Sequence, residues 1–165
     1  LDKITPCLWF DGDAEDAARL YTQLIPNSRI VAINRSPADT PSGPKEMVLT
    51  VEFKLDGRSY IGLNGGPEFK FTEAISLSID CEDQAEVDRY WSALTADGGE
   101  ESMCGWLKDR FGLSWQVVPR RMTELFSSQD WQGAERAMQA MLKMRKIDIA
   151  ELERAYAGES VGAAG

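Results

Sequence analysis

The chain repeats itself, and a repeat limits the folds open to it. Residues 14–24, AEDAARLYTQL, align with residues 84–94, QAEVDRYWSAL, at an offset of 70. Arg19 meets Arg89, Leu20 meets Tyr90, Tyr21 meets Trp91 and Leu24 meets Leu94. A second match pairs DGRSY (56–60) with FGLSW (111–115) at an offset of 55. The first match has helical spacing and the second has strand content. Two modules of the same build are therefore expected. Neither copy contains a histidine, and nor does the rest of the chain.

The 165 residues suit one compact domain with a real core. A content of 43% hydrophobic and 27% charged residues is that of a soluble globular protein. No apolar run approaches the ~20 residues needed to span a bilayer, and no leader-like segment opens the chain, so the cytoplasm is the expected location and no membrane partner is expected. The net charge of −9 argues against nucleic acid, whose affinity rests on basic contacts to phosphate. The basic stretch Lys143-Met144-Arg145-Lys146 reads as a solvated helix face. Cys7, Cys81 and Cys104 are odd in number and lack a C-x-x-C, which predicts reduced, mostly buried thiols rather than a disulfide framework or zinc site.

Along the chain, Ile4–Phe10 reads as a strand and Ala14–Leu24 as a helix with Ala17, Ala18, Tyr21 and Leu24 on one face. Ser28–Arg35 is a second strand. Ser36–Lys45, with three prolines and a glycine, is a surface loop. Val48–Leu55 and Arg58–Asn64 form a hairpin about Asp56-Gly57. Ala74–Cys81 is the next strand and Glu82–Ala96 the next helix, ended by Asp97-Gly98-Gly99. A short strand near Glu100–Met103 precedes a second hairpin, Gly105–Lys108 with Leu113–Val118. Each half thus reads β-α-β-β-β, an α+β fold. After Pro119 only helices follow: Arg121–Phe126, Asp130–Met144, and Asp148–Tyr156 with its capping box Asp148…Glu151. One domain over 1–158 is expected, with module one at 3–66, module two at 73–119, a helical extension at 120–158 and a frayed tail at 159–165.

Four stretches carry more than pattern: ITPCLWFDGDAEDAARLY, LNGGPEFKFTEAISLSIDCEDQAEVDRYW, CGWLKDRFGLSWQVVP and AMLKMRKIDIAELERA. Together, over about Lys3 to Tyr156, they resemble the PhnB-like proteins, whose family carries the label 3-demethylubiquinone-9 3-methyltransferase domain and belongs to the glyoxalase/bleomycin-resistance, or vicinal oxygen chelate, superfamily. The resemblance implies paired βαβββ modules, sheets curved around a cavity, and a homodimer. It does not imply a particular activity. Many methyltransferases seat a nucleoside cofactor on a Rossmann-like sheet with a glycine-rich first turn, and no such loop lies between a strand and a helix here. Gly65-Gly66 precedes Pro67 and reads as a turn.

The resemblance also locates the metal positions of the metal-dependent relatives. Their last strand often reads D-P-x-G-x-x-x-E. Here Asp109-Arg110-Phe111-Gly112-Leu113-Ser114-Trp115-Gln116 sets Gln116 in place of the glutamate. Ile61 matches it in module one, and the first strands offer about Ile4 and Ala74. One neutral amide among these four is too poor a donor set for a divalent cation. No metal and no cofactor are expected.

Strand alternation then assigns the cavity lining. With Gln116 go Ser114 and Val118, by the repeat Ser59, Ile61 and Leu63, from the fifth strand Ser76 and Ser78, and from the first Pro6 and Leu8. Trp115, Val117, Tyr60, Leu77 and Ile79 would point to the helices. The ligand-binding candidates are Leu8, Ser59, Ile61, Leu63, Ser76, Ser78, Trp106, Ser114 and Gln116. This lining suits a small, partly apolar molecule, although the same side chains could simply fill a small core.

Other residues have two readings each. Cys104, beside Trp106, Lys108 and Asp109, is a nucleophile without a histidine base or a packed thiol. Asp109 is a general base or a turn cap. Asn64 is a ligand contact or a cap before Gly65-Gly66. Trp9 and Phe10 stack on a flat ligand or belong to the core. Met138, Met141 and Met144, with Leu142 and Ala134, form an adaptable binding stripe, a core side or a dimer interface. The leading expectation is a metal-free binder of a small, partly apolar molecule. An enzyme of the superfamily and a dimeric interaction module are the alternatives.

Overall fold

The computed structural model describes residues 1–159. They form two compact units, Leu1–Phe71 and a second that begins at Thr72. The frayed tail expected from residue 159 lies, beyond Glu159 itself, outside the described residues. Among the described residues no helix is long and apolar enough to cross a membrane.

The first unit holds β1 (Cys7–Phe10), α1 (Ala14–Leu24), β2 (Arg29–Arg35), β3 (Val48–Leu55) and β4 (Arg58–Asn64). The second repeats the plan with β5 (Ser76–Cys81), α2 (Gln84–Thr95), β6 (Glu100–Glu101), β7 (Trp106–Lys108) and β8 (Ser114–Pro119). It then adds α3 (Arg120–Phe126), α4 (Trp131–Met141) and α5 (Ile149–Ala157). The sheet orders are β1-β4-β3-β2 and β5-β8-β7-β6, the same path twice. In each, the first strand runs parallel to the last and the others pair antiparallel. The α+β fold of two βαβββ modules with a helical extension is what the sequence predicts.

Each sheet buries one face under its helix. Ala14, Ala17, Ala18 and Tyr21 of α1 are buried, as are Val51, Phe53 and Leu55 of β3. Phe53 stacks on Tyr60 with centroids 5.6 Å apart and meets Tyr21 at 6.3 Å. Gly62 sits where a Cβ would approach that of Ala14 to 3.2 Å, so α1 can lie close to β4. In the second unit Val87, Tyr90, Trp91 and Leu94 of α2 are buried along with Leu107, Trp115 and Val117 of the sheet. Burying such a side chain contributes about 1.5–3 kcal/mol.

Several boundaries differ from the sequence reading, each for a local reason. β1 starts at Cys7, not Ile4: Pro6 has no N–H, and only its carbonyl still joins the ladder by accepting from Ile61 N. β5 starts at Ser76; Ala74 and Ile75 before it are exposed. α4 ends at Met141, short of Met144. The carbonyls of Met144 and Arg145 accept from the N–H groups of Cys104 and Gly105, which draws this stretch out of the helix. Met144 is buried with Met122, Leu125, Ile147 and Leu152 in the core of the extension. The Ser36–Lys45 loop is tied down: Ser36 is buried and exchanges backbone hydrogen bonds with Glu46 and Met47.

Candidate functional site

Pairing register fixes which side chains share a face. On the second sheet Ser76 aligns with Ser114, Ser78 with Gln116, Gln116 with Trp106, and Ser114 with Lys108. Thus Ser76, Ser78, Trp106, Ser114 and Gln116 all lie on the face away from α2, as alternation predicts. Gln116 Nε2 donates to Ser76 Oγ at 2.9 Å. On the first sheet Ser59, Ile61 and Leu63 share the face away from α1, because Tyr60 aligns with Phe53 and Gly62 with Val51 on the helix side.

Leu8 is a correction. It aligns with Gly62, so it lies on the helix side, buried with Phe10; Cys7 and Trp9 take the open face instead. The cause is one residue of loop. Asp11-Gly12-Asp13 joins β1 to α1, whereas only Glu82-Asp83 joins β5 to α2. The helices repeat at 70, but Cys7 and Leu8 correspond to Ser78 and Ile79, at 71. Carrying the helix offset into the strand turns each side chain over.

The first-strand metal positions are also misplaced, because both strands start later than the sequence reading has them. Ile4 is 89% exposed and lies outside β1, Ala74 lies outside β5, and the side chain that reaches Gln116 is Ser76. An amide with neighbouring hydroxyls is a poor donor set for a divalent cation and does not fit the metal of the metal-dependent relatives. Among the described residues no group of three His, Cys, Asp or Glu side chains is placed to hold a metal ion.

A hollow of about 420 Å³ opens on the second unit, where β6 and β7 with Glu73 and Ser114 line it; Glu100, Trp106 and Lys108 are among its lining residues. Ser114 is 1% exposed, and its Oγ has no hydrogen-bond partner among the described residues. A buried hydroxyl left unpaired costs about 1–3 kcal/mol. Lys108 Nζ lies 2.6 Å from Glu73 Oε1. That hydrogen bond holds the lysine above its ordinary pKa and the glutamate below the usual carboxylate range. Alternation alone puts Lys108 with Trp106, yet the sequence reading treats it only as a neighbour of Cys104. Glu73 precedes β5, where no periodicity could have located it.

The remaining candidates resolve into structural roles. Asn64 is buried; its Oδ1 accepts from Ala14 N and its Nδ2 donates to Val48 O, which caps α1 and closes the β3–β4 edge. Asp109 Oδ1 accepts from Phe111 N and Leu113 N, and its Oδ2 from Trp115 Nε1, so this buried carboxylate builds the β7–β8 turn. Trp9 lies against Gly65, donates from Nε1 to Gly66 O and meets Phe69 edge-on at 4.9 Å. Phe10 is core, edge-on to Phe71 at 5.2 Å. Cys81 alone of the three thiols is buried; Cys7 is exposed and Cys104 half-buried, which corrects the expectation of mostly buried thiols. Burial, followed by the Glu86 and Asp80 carboxylates, pushes Cys81 up to about 12. Of the methionine stripe, Met144 is buried, whereas Met138 and Leu142 stay 44% and 57% exposed.

The family model for 3-demethylubiquinone-9 3-methyltransferase matches residues 2–118, both modules without the extension. The chain belongs to this PhnB-like family. It is similar to a PhnB protein from Bacillus cereus, with 33% identity over 72% of this chain and 99% of that one, at a TM-score of 0.64. The structure of protein PA1353 from Pseudomonas aeruginosa shares the fold at 22% identity, over 72% of this chain and 98% of that one, at a TM-score of 0.59. No curated protein matches the chain. The PhnB-like modules thus account for both sheets, and α3–α5 lie beyond the matched residues.

Proposed function

We propose that this PhnB-like protein binds a small, partly apolar molecule on the open face of its second sheet, without the metal of its metal-dependent relatives. The orphan Ser114 hydroxyl beside the hollow carries this reading. Trp106 supplies apolar surface, and Gln116, Ser76 and Ser78 supply polar groups on the same face. Ser59, Ile61 and Leu63 offer the same mixture on the first sheet. A hollow of about 420 Å³ falls within the usual size of small-molecule sites. The homodimer implied by the family resemblance remains part of the proposal, and sedimentation of the full chain tests it.

Whether a reaction follows binding is a separate matter. The methyltransferase label finds no support in the strand–helix turns: Asp11-Gly12-Asp13 and Glu82-Asp83 do not make a glycine-rich cradle for a nucleotide-like cofactor. The deciding experiment is thermal unfolding of metal-stripped protein against divalent metals and a library of metabolites and antibiotics. A ligand of the folded state adds about 2.7 kcal/mol at 100-fold excess over its Kd. The expected result is a rise with one chemical class and none with zinc, nickel, manganese or iron. A clear rise with a metal would overturn the metal-free reading.

A further inference from the structure

The charges around the hollow narrow the ligand class, given the reading that the hollow is the binding site. Its one cation, Lys108, is already engaged by Glu73 at 2.6 Å. Glu101 turns to the helix side, where its Oε1 accepts from Trp91 Nε1 at 2.7 Å. Glu100 differs. It aligns with Lys108 across the β6–β7 ladder and so shares the open face, where its carboxylate lies in the field of the Lys108 ammonium without forming a close ion pair among the described residues. The open face therefore sets two carboxylates, Glu73 and Glu100, against one ammonium beside an indole, and both the excess negative charge and the electron-rich ring attract cations. An anionic ligand would instead meet two carboxylates on that face, with the Lys108 ammonium already engaged by Glu73.

We propose that the hollow takes a small organic cation, a protonated amine on an apolar or aromatic body, with its ammonium at Glu100 beside Trp106 and a second polar group at the unpaired Ser114 hydroxyl.

Heteronuclear NMR titration of the full chain tests this with three matched probes: benzylamine, benzyl alcohol and benzoate. Benzylamine is expected to bind tightest and to shift the amides of Ser102, Trp106, Lys108 and Ser114. Glu100→Gln, at an exposed position, should weaken benzylamine about fivefold, and added salt should do the same. Glu100→Lys should reverse the preference towards benzoate. Equal binding of benzyl alcohol or benzoate at these same amides would overturn the cation and leave the hollow as a binding site. Failure of all three probes to shift these amides, or shifts indifferent to Glu100→Gln, Glu100→Lys and Ser114→Ala alike, would overturn both readings. The folded spectrum of each variant verifies that the site itself survives.

Discussion

Asn64 and Asp109 are candidate site residues in the sequence and Gly65 reads as a turn, and each is committed to structure by a specific contact. Replacing Asn64 with alanine leaves Ala14 N–H and Val48 C=O without their side-chain partners. The expected loss is about 1–3 kcal/mol, read as a lower urea midpoint with an unchanged m-value. At Gly65 a Cβ would fall 2.3 Å from the Trp9 ring. Gly65→Ala should therefore displace the indole and lower the thermal midpoint, with a cost of about 1–3 kcal/mol. Cys81 gives a pH signature. Its thiol titrates near 9 when unfolded and is pushed up to about 12 in the fold. The unfolded chain thus loses this proton first. This residue's contribution to stability is intact below about pH 9 and declines from there towards 12. Denaturation curves across that range, compared with Cys81→Ala, check the sign. A thiol reagent near neutral pH should modify exposed Cys7 well before Cys81.

At the scale of elements, the extension is fastened by a few directed contacts as well as by its apolar core. The Gln84 amide, at the start of α2, donates from Nε2 to Ile147 O and accepts at Oε1 from Ile149 N. This one side chain therefore fixes the entry to α5. Arg136 donates to the carbonyls of Ala155 and Tyr156 and so satisfies the C-terminal end of the same helix. Gln84→Ala should raise hydrogen exchange in α5 by more than in α1, because two backbone groups lose their partners in the second unit only. The exposed ion pairs Arg121–Glu153, between α3 and α5, and Lys146–Asp88, from the segment before α5 to α2, are each expected to contribute under about 1 kcal/mol.

At the scale of the molecule, the extension completes the second unit. Gly105, at φ +81°, lies where a Cβ would come within 2.9 Å of Val117 O and 3.1 Å of Ile147 Cγ1, so the β7 entry is shaped to receive the chain that follows α4. Ending the protein at Pro119 would remove Met122, Leu125, Met144, Ile147 and Leu152 and would strip Cys104 and Gly105 of their carbonyl partners. The truncated chain is expected to lose cooperative unfolding or to aggregate, as seen in calorimetry and light scattering, although it retains every residue matched by the family model.

The repeat, the alternation and the caps are local properties, so the sequence alone determined both modules, the order of their elements and the faces of Ser76, Ser114 and Gln116. Hydrophobic spacing of 3.6 or 2 is written into neighbouring residues and survives without knowledge of their partners. The tertiary structure decided what depends on register and on distant groups. Leu8 turned to the helix side because a single extra loop residue changes strand phase, which the helix repeat cannot reveal. Asp109, already a turn cap in the sequence reading, gained the Trp115 indole as a second anchor, and Glu73 became the partner of Lys108 from 35 positions upstream. The unpaired Ser114 hydroxyl is legible only in three dimensions, because hydrogen-bond satisfaction is a property of the whole surroundings of an atom and not of the residue that carries it.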